Sequence, residues 1–307
     1  MNLGRLLSDT ARRLGPREAL VWGERSWTWA ELDGRVNALV AGLKARGLGK
    51  GDRLLVHARN SNQLFESCWA AFKLGAVWVP TNVRLTPPEV AYLAANSGAV
   101  AMIFEDSFPE HAEAVRAAVP DLRVAIAIGA AGADDLAYED VVSEALGAPS
   151  REAEVDPGDP CWFFYTSGTT GKPKGAVLTH GQMAFVVNNH LADLMPGTTE
   201  ADASLVVAPL SHGAGAHMLP QVARGAKSVL LSNTSFDEEE AWRLVEEHRV
   251  GNMFTVPTIL TRLARHPSVD RYDHSSLRHV IYAGAPMYRE DQRFILEKLG
   301  KVIVQYY

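Results

Sequence analysis

Short apolar runs recur along the chain, separated by segments whose apolar positions fall at helical spacing. The runs at 53–57, 76–79, 100–104, 124–128, 205–208, 228–231, 253–256 and 280–283 are rich in Val, Leu and Ile and show little alternation with polar residues. Strands of a parallel sheet read this way, because helices cover both of their faces. Helix starts stand between them. Thr28 with Glu31, Thr86 with Pro87 and Glu89, and Asp237 with Glu240 each set a side-chain acceptor against first-turn N–H groups. The alternation predicts an α/β fold with largely parallel sheets.

The first fourteen residues carry Leu3, Leu6 and Leu7 at helical spacing among arginines, which predicts an amphipathic surface helix rather than a signal peptide. No apolar stretch has the length needed to span a bilayer, and a cytoplasmic location is expected. A length of 307 residues points to two subdomains. Residues 147–160 hold three prolines and two glycines and read as a linker. The net charge of −6, with scattered Lys and Arg, gives no support to nucleic-acid binding. Cys68 and Cys161 each adjoin a tryptophan and read as buried thiols. The histidines show no metal-ligand spacing, so no metal site is expected from the chain's own residues.

The densest chemistry lies between the apolar runs 161–165 and 176–178. Thr166 to Gly175 packs four hydroxyl side chains, three glycines and two lysines into ten residues. Glycines let a backbone approach an anion closely, and N–H groups, hydroxyls and lysines supply donors and charge to phosphate oxygens. An ordinary polar hairpin loop is the bland alternative, but such loops rarely combine these residues so densely. The segment is not a Walker A sequence. Gly168 and Gly171 are too close, Pro173 follows Lys172 where a hydroxyl belongs, and the flanks read strand–loop–strand.

The run from Tyr165 to His180, YTSGTTGKPKGAVLTH, resembles the phosphate-loop signature of the adenylate-forming superfamily, which contains acyl-CoA synthetases, luciferases and adenylation domains. Three other stretches agree: Asn82 to Glu89 (NVRLTPPE), Pro209 to Gly215 (PLSHGAG) and Ala283 to Pro286 (AGAP). The resemblance covers essentially the whole chain. It implies two packed, largely parallel sheets flanked by helices, as in the large N-terminal domain of acyl-CoA synthetases. The expected division puts residues 51–195 in a first subdomain, and 1–50 with 202–307 in a second.

By the same resemblance, Thr166, Ser167, Gly168, Thr169, Thr170, Gly171 and Lys174 hold the ATP phosphates, and Lys174 and His212 assist the chemistry. His212 with Gly213, Ala214 and Gly215 borders the acid; Gly284, Ala285 and Pro286 border the adenine, and Tyr307 stacks on it. The cofactors implied are ATP, Mg2+ and coenzyme A, and the partner is a small-molecule carboxylic acid. The reaction joins the acid to AMP with release of pyrophosphate, then forms the acyl-CoA thioester. From Ser211 to Ala223 there is no Asp or Glu to pair a substrate ammonium, so an uncharged fatty or aromatic acid is expected. An amino-acid-activating domain and a non-catalytic binding fragment remain the alternatives. The chain closes on an apolar strand at 302–304 and Tyr307, where the family continues into a Gly-x-Thr-Glu segment. It therefore reads as the N-terminal part of such an enzyme, without the C-terminal lid domain and inactive alone.

Overall fold

A computed structural model describes residues 1–166, 172–232 and 236–306. The chain divides into two compact units. One comprises Met1–Ala11 and Ala30–Phe185; the other comprises Arg12–Trp29 and Val186–Tyr307.

The second unit claims the first two strands, a hairpin of β1 (Glu18–Trp22) and β2 (Arg25–Thr28). The first unit follows with β3 (Arg53–His57), β4 (Val77–Pro80), β5 (Ala101–Glu105), β6 (Val124–Ile128), β7 (Leu136–Ala137), β8 (Pro160–Thr166) and β9 (Lys174–Thr179). These form a seven-stranded sheet in the order β7-β6-β5-β3-β4-β8-β9, parallel except for the β8–β9 pair. Back in the second unit come β10 (Ala203–Val206), β11 (Lys227–Leu230), β12 (Asn252–Thr255), β13 (His279–Tyr282) and β14 (Ile303–Gln305). The order there is β14-β13-β12-β10-β11-β1-β2, parallel except for the β1–β2 pair. Helices join the successive parallel strands, except that a loop alone leads from β6 to the short strand β7. The fold is thus α/β with two largely parallel sheets.

Each of the eight expected apolar runs forms a strand, displaced by no more than two residues. Thr86 and Glu89 close as expected: the Glu89 carboxylate accepts from Thr86 N at 2.7 Å and from its hydroxyl at 2.8 Å. Asp237 caps its helix by accepting from the N–H groups of Glu239 and Glu240. Glu240 does not complete a capping box; its carboxylate accepts from Ser232 instead. Leu3 and Leu7 of the N-terminal segment are fully buried, so one face of that amphipathic helix packs inward.

Two expectations need correction. Residues 147–159 are irregular, Pro160 opens β8, and the segment does not link the units. They are fastened to the first unit, where Ala153 N donates to Lys73 O at 2.8 Å and Asn2 Nδ2 to Ala153 O at 3.0 Å. The N-terminal fifty residues also do not go together to the second unit. Helix Trp29–Ala45 packs within the first, because Arg35 pairs with Glu66 and Glu139 and Asp33 with Lys73.

Candidate active site

The first unit holds the candidate phosphate-loop segment at the end of the antiparallel pair β8–β9. Tyr165 stands opposite Gly175, and Thr166 opposite Lys174. The Tyr165 ring covers Gly175 so closely that a Cβ there would come within 3.0 Å of it. A larger residue there would need the ring to give by a few tenths of an ångström. The Tyr165 hydroxyl then donates to Asn96 Oδ1 at 2.7 Å, which ties the hairpin to helix Pro87–Ser97. The ammonium of Lys172 lies 5.6 Å above the ring of Tyr92 on the same helix. Thr166 and Lys174 are exposed, and Lys174 has no ion-pair or hydrogen-bond partner among the described residues. Ser167, Gly168, Thr169, Thr170 and Gly171 lie outside the described residues, as does Tyr307.

The second unit gathers the other candidates along one sheet edge. Strands β10, β12, β13 and β14 are adjacent and parallel, so their carboxyl ends share an edge. In open α/β sheets ligands bind outside that edge. From β10 the chain runs to Ser211 and His212; from β13 it runs to Ala283, Gly284, Ala285 and Pro286; from β14 it reaches Tyr306. The two candidate segments are separated by β12 alone, about 10 Å at ordinary strand spacing.

His212 caps helix Gly213–Arg224, and its Nδ1 lies 2.8 Å from Ser211 Oγ. Burial holds its pKa below the usual histidine value, so the ring is neutral near pH 7. A Cβ on Gly213 would sit 2.5 Å from the Phe254 ring, so glycine there is set by close packing. Ala214 and Gly215 are buried in the first turn. Gly284, Ala285 and Pro286 are exposed, and Gly284 has φ +84°, a left-handed conformation that suits glycine. Its backbone is open: an added Cβ would meet nothing nearer than Val256 Cγ1 at 3.9 Å.

Behind this edge Met195, Ala208, Ala214, Phe254 and Ile281 form an apolar cluster, with Ala283, Val304 and Tyr306 packed on it. Phe254 and Met195 escaped the sequence reading. Neither belongs to a contiguous motif; long-range packing sets both in one cluster with Ala214, and Phe254 against Gly213. The segments along the edge carry no carboxylate. Among the described residues no group of three His, Cys, Asp or Glu side chains could hold a metal ion. Among the described residues this edge offers hydroxyl, imidazole and backbone groups but no carboxylate for a magnesium ion.

A family model described as AMP-binding enzyme matches residues 7–307. Feruloyl-CoA synthase of an Amycolatopsis species is 36% identical over 278 residues, covering 90% of this chain and 53% of that protein. Long-chain-fatty-acid–CoA ligase FadD13 of Mycobacterium tuberculosis H37Rv is 34% identical over 262 residues, covering 85% of this chain and 50% of that protein. The chain spans about half the length of the curated relatives it matches. The inhibitor-bound crystal structure of the N-terminal domain of FACL13 from M. tuberculosis aligns with a TM-score of 0.85 at 29% identity, over 100% of this chain and 75% of that one.

Proposed function

The chain belongs to the AMP-binding enzyme family, and on that premise we propose that the protein carrying it activates a carboxylic acid with ATP and passes the acyl group to coenzyme A. The carboxylate oxygen attacks the α-phosphorus as pyrophosphate leaves; the thiol sulfur then attacks the acyl carbon and AMP leaves. The acid is itself the nucleophile, so the chain needs no catalytic Ser or Cys. Its task is to position two anions and to offset the charge that develops.

The observation that carries this reading is Lys174. It is an exposed cation with no ion-pair partner among the described residues, at the mouth of a loop rich in hydroxyls and glycines. A lysine kept free of carboxylates beside such a loop suits the β- and γ-phosphates. Thr166, Ser167, Gly168, Thr169, Thr170 and Gly171 complete that cradle in our reading. His212, neutral and half-buried, faces the acid side. Gly284, Ala285 and Pro286 offer open backbone to the adenine, and Tyr307 stacks on it.

The acid is an uncharged fatty or aromatic one. An ammonium buried beside Gly213 and Ala214 would lack a partner, since no Asp or Glu lies between Ser211 and Ala223. Feruloyl-CoA synthase and a long-chain-fatty-acid–CoA ligase among the relatives support this class. ATP–pyrophosphate exchange with medium-chain, aryl and amino acids tests it. Exchange with the first two and none with amino acids is expected, followed by AMP and acyl-CoA release once coenzyme A is added. Exchange with α-amino acids alone would overturn the reading.

A further inference from the structure

Residues 81–86 join strand β4 to helix Pro87–Ser97 and carry the start of the Asn82–Glu89 element, which the candidate site does not use. Two stacked histidines hold this segment. His57 ends β3, His111 stands in helix Pro109–Ala118, and their ring centroids are 4.5 Å apart with 23° between the planes. His57 Nδ1 lies 2.7 Å from Thr81 Oγ1, and His111 Nε2 lies 2.9 Å from Leu85 O. Two rings from distant parts of the sequence thus grip one short connection at both ends.

The other nitrogen of each ring, His57 Nε2 and His111 Nδ1, is buried and has no hydrogen-bond partner among the described residues. The Phe108 ring stands edge-on to both, 4.6 Å from His57 and 5.3 Å from His111. Such a site accepts a neutral ring and opposes a charged one. A neutral imidazole has one N–H, and an imidazolium has two. Whichever nitrogen of neutral His57 bears its proton, the cation presents an N–H at Nε2 with nothing to accept it. Leu85 O can only accept, so Nε2 of His111 bears the proton, and the cation presents an unmet N–H at Nδ1. Unmet donors on a buried charged ring are strongly disfavoured.

The charged groups around the pair give no relief. Burial, with His111 and Arg59 beside it, lowers the pKa of His57 to about 3. Glu105, at the end of β5, is bound by Arg59 through both its guanidinium and its backbone N–H. Asp106 accepts from Ala130 N, and Glu89, opening helix Pro87–Ser97, accepts from Thr86. Arg84 in the segment, and Glu110 and Glu113 on the helix of His111, are exposed. We infer that His57 and His111 form an acid-released clamp on residues 81–85: proton uptake parts the stack and frees the segment that leads into helix Pro87–Ser97. Once released, the rings reach water, where a histidine titrates near 6.5. The open form therefore binds more protons than the closed one as pH falls. Through His57 alone it is favoured about 30-fold more at pH 5 than at pH 7.5.

The test is hydrogen exchange of the Leu85 N–H, which donates to Asn82 O at 3.0 Å, in the protein carrying this chain. No substrate is needed, so the outcome is separate from the acid-activating reading. The protection factor is expected to fall by about 30-fold between pH 7.5 and 5. His57→Asn keeps a hydrogen-bonding group near the place of Nδ1, and His111→Gln keeps a donor near that of Nε2; neither new side chain titrates. The double variant should therefore stay closed and lose the pH dependence. If it fails to fold, NMR titration of His57 in the unaltered protein decides, because that ring must take up its proton in step with the loss of Leu85 protection. Protection that stays level with pH overturns the inference. So does a pH dependence that persists in the double variant, since another group then opens the segment. A His57 ring that charges while Leu85 stays protected overturns it as well.

Discussion

The two units bury polar groups in different ways. In the first unit the buried charges are paired. Glu66, fully buried, accepts from Arg35 Nε at 2.7 Å, Asn62 Nδ2 at 2.9 Å and Tyr138 Oη at 2.8 Å. Lys73, 1% exposed, donates to Asp33 at 2.5 Å and to Asn37 at 2.6 Å. In the second unit the buried row Ser228, Ser204 and Asn252 is neutral, and hydrogen-bonding capacity is left over at His217. Unpartnered histidine nitrogens occur in the first unit as well, at His57, His111 and His180, and aromatic rings flank these histidines as Phe254 flanks His217. His217 is also one of the residues around a small cavity. Paired buried charge holds elements in place; unmet neutral polarity leaves hydrogen-bonding capacity unused.

The comparison is open to attack first where the effect is largest. Glu66→Ala leaves the Arg35 guanidinium and the Tyr138 hydroxyl without their buried acceptor. A loss of about 3–5 kcal/mol in urea denaturation is expected, as for breaking a buried ion pair from one side. A loss below about 1 kcal/mol would mean that the cluster does not hold helix Trp29–Ala45 to the first unit. Lys174→Ala should leave folding unchanged, since the side chain has no partner to lose among the described residues. It should lower acid-dependent ATP–pyrophosphate exchange by roughly 10- to 100-fold, because a charge-assisted contact to phosphate is worth about 1.5–3 kcal/mol. Unaltered exchange would remove the hairpin from the chemistry.

Acidification probes both units together. Burial lowers the pKa of His57 and His217 to about 3 and that of His180 to about 4. The folded state therefore binds fewer protons than the unfolded chain below the ordinary value of about 6.5. The stability these histidines contribute is fully present above that pH and is lost as pH falls toward their folded values of about 3 to 4. Between pH 7.5 and 5 the loss is expected to be about 1–2 kcal/mol for each histidine. Urea midpoints that stay level across this range would show that the rings are not held neutral. A smaller effect is expected at Asp237, whose carboxylate caps two N–H groups. Asp237→Ala should cost about 1 kcal/mol in thermal or urea unfolding with no change in exchange.

Legibility in the sequence followed contiguity. The hairpin bearing Thr166 and Lys174 is one unbroken motif between two apolar runs, so composition alone pointed to phosphate. The buried parallel strands were equally plain, because β-branched and other apolar residues fill both faces. Strands β1 and β2 were not foreseen: Thr28, which ends β2, also directly precedes helix Trp29–Ala45 as its helix-start reading expects, and the pair has only Gly23 and Glu24 between its strands. The short strand Leu136–Ala137 follows two aspartates that signal a loop. Corrections clustered where long-range pairing decides. Residues 147–160 look like a linker by their prolines, yet Lys73 and Asn2 fasten them. The polar row was illegible for the same reason. Ser204, Ser228 and Asn252 each look like a strand-weakening residue in isolation, and only the order β11-β10-β12 sets them side by side.

In this account the hairpin bearing Thr166 and Lys174 serves phosphate and not the fold, and Lys174→Ala read out for both stability and exchange tests it most directly. The urea midpoint should stay level while acid-dependent ATP–pyrophosphate exchange falls by roughly 10- to 100-fold. A destabilisation of more than about 1 kcal/mol, with exchange intact, would contradict it and make Lys174 part of the fold's own contacts.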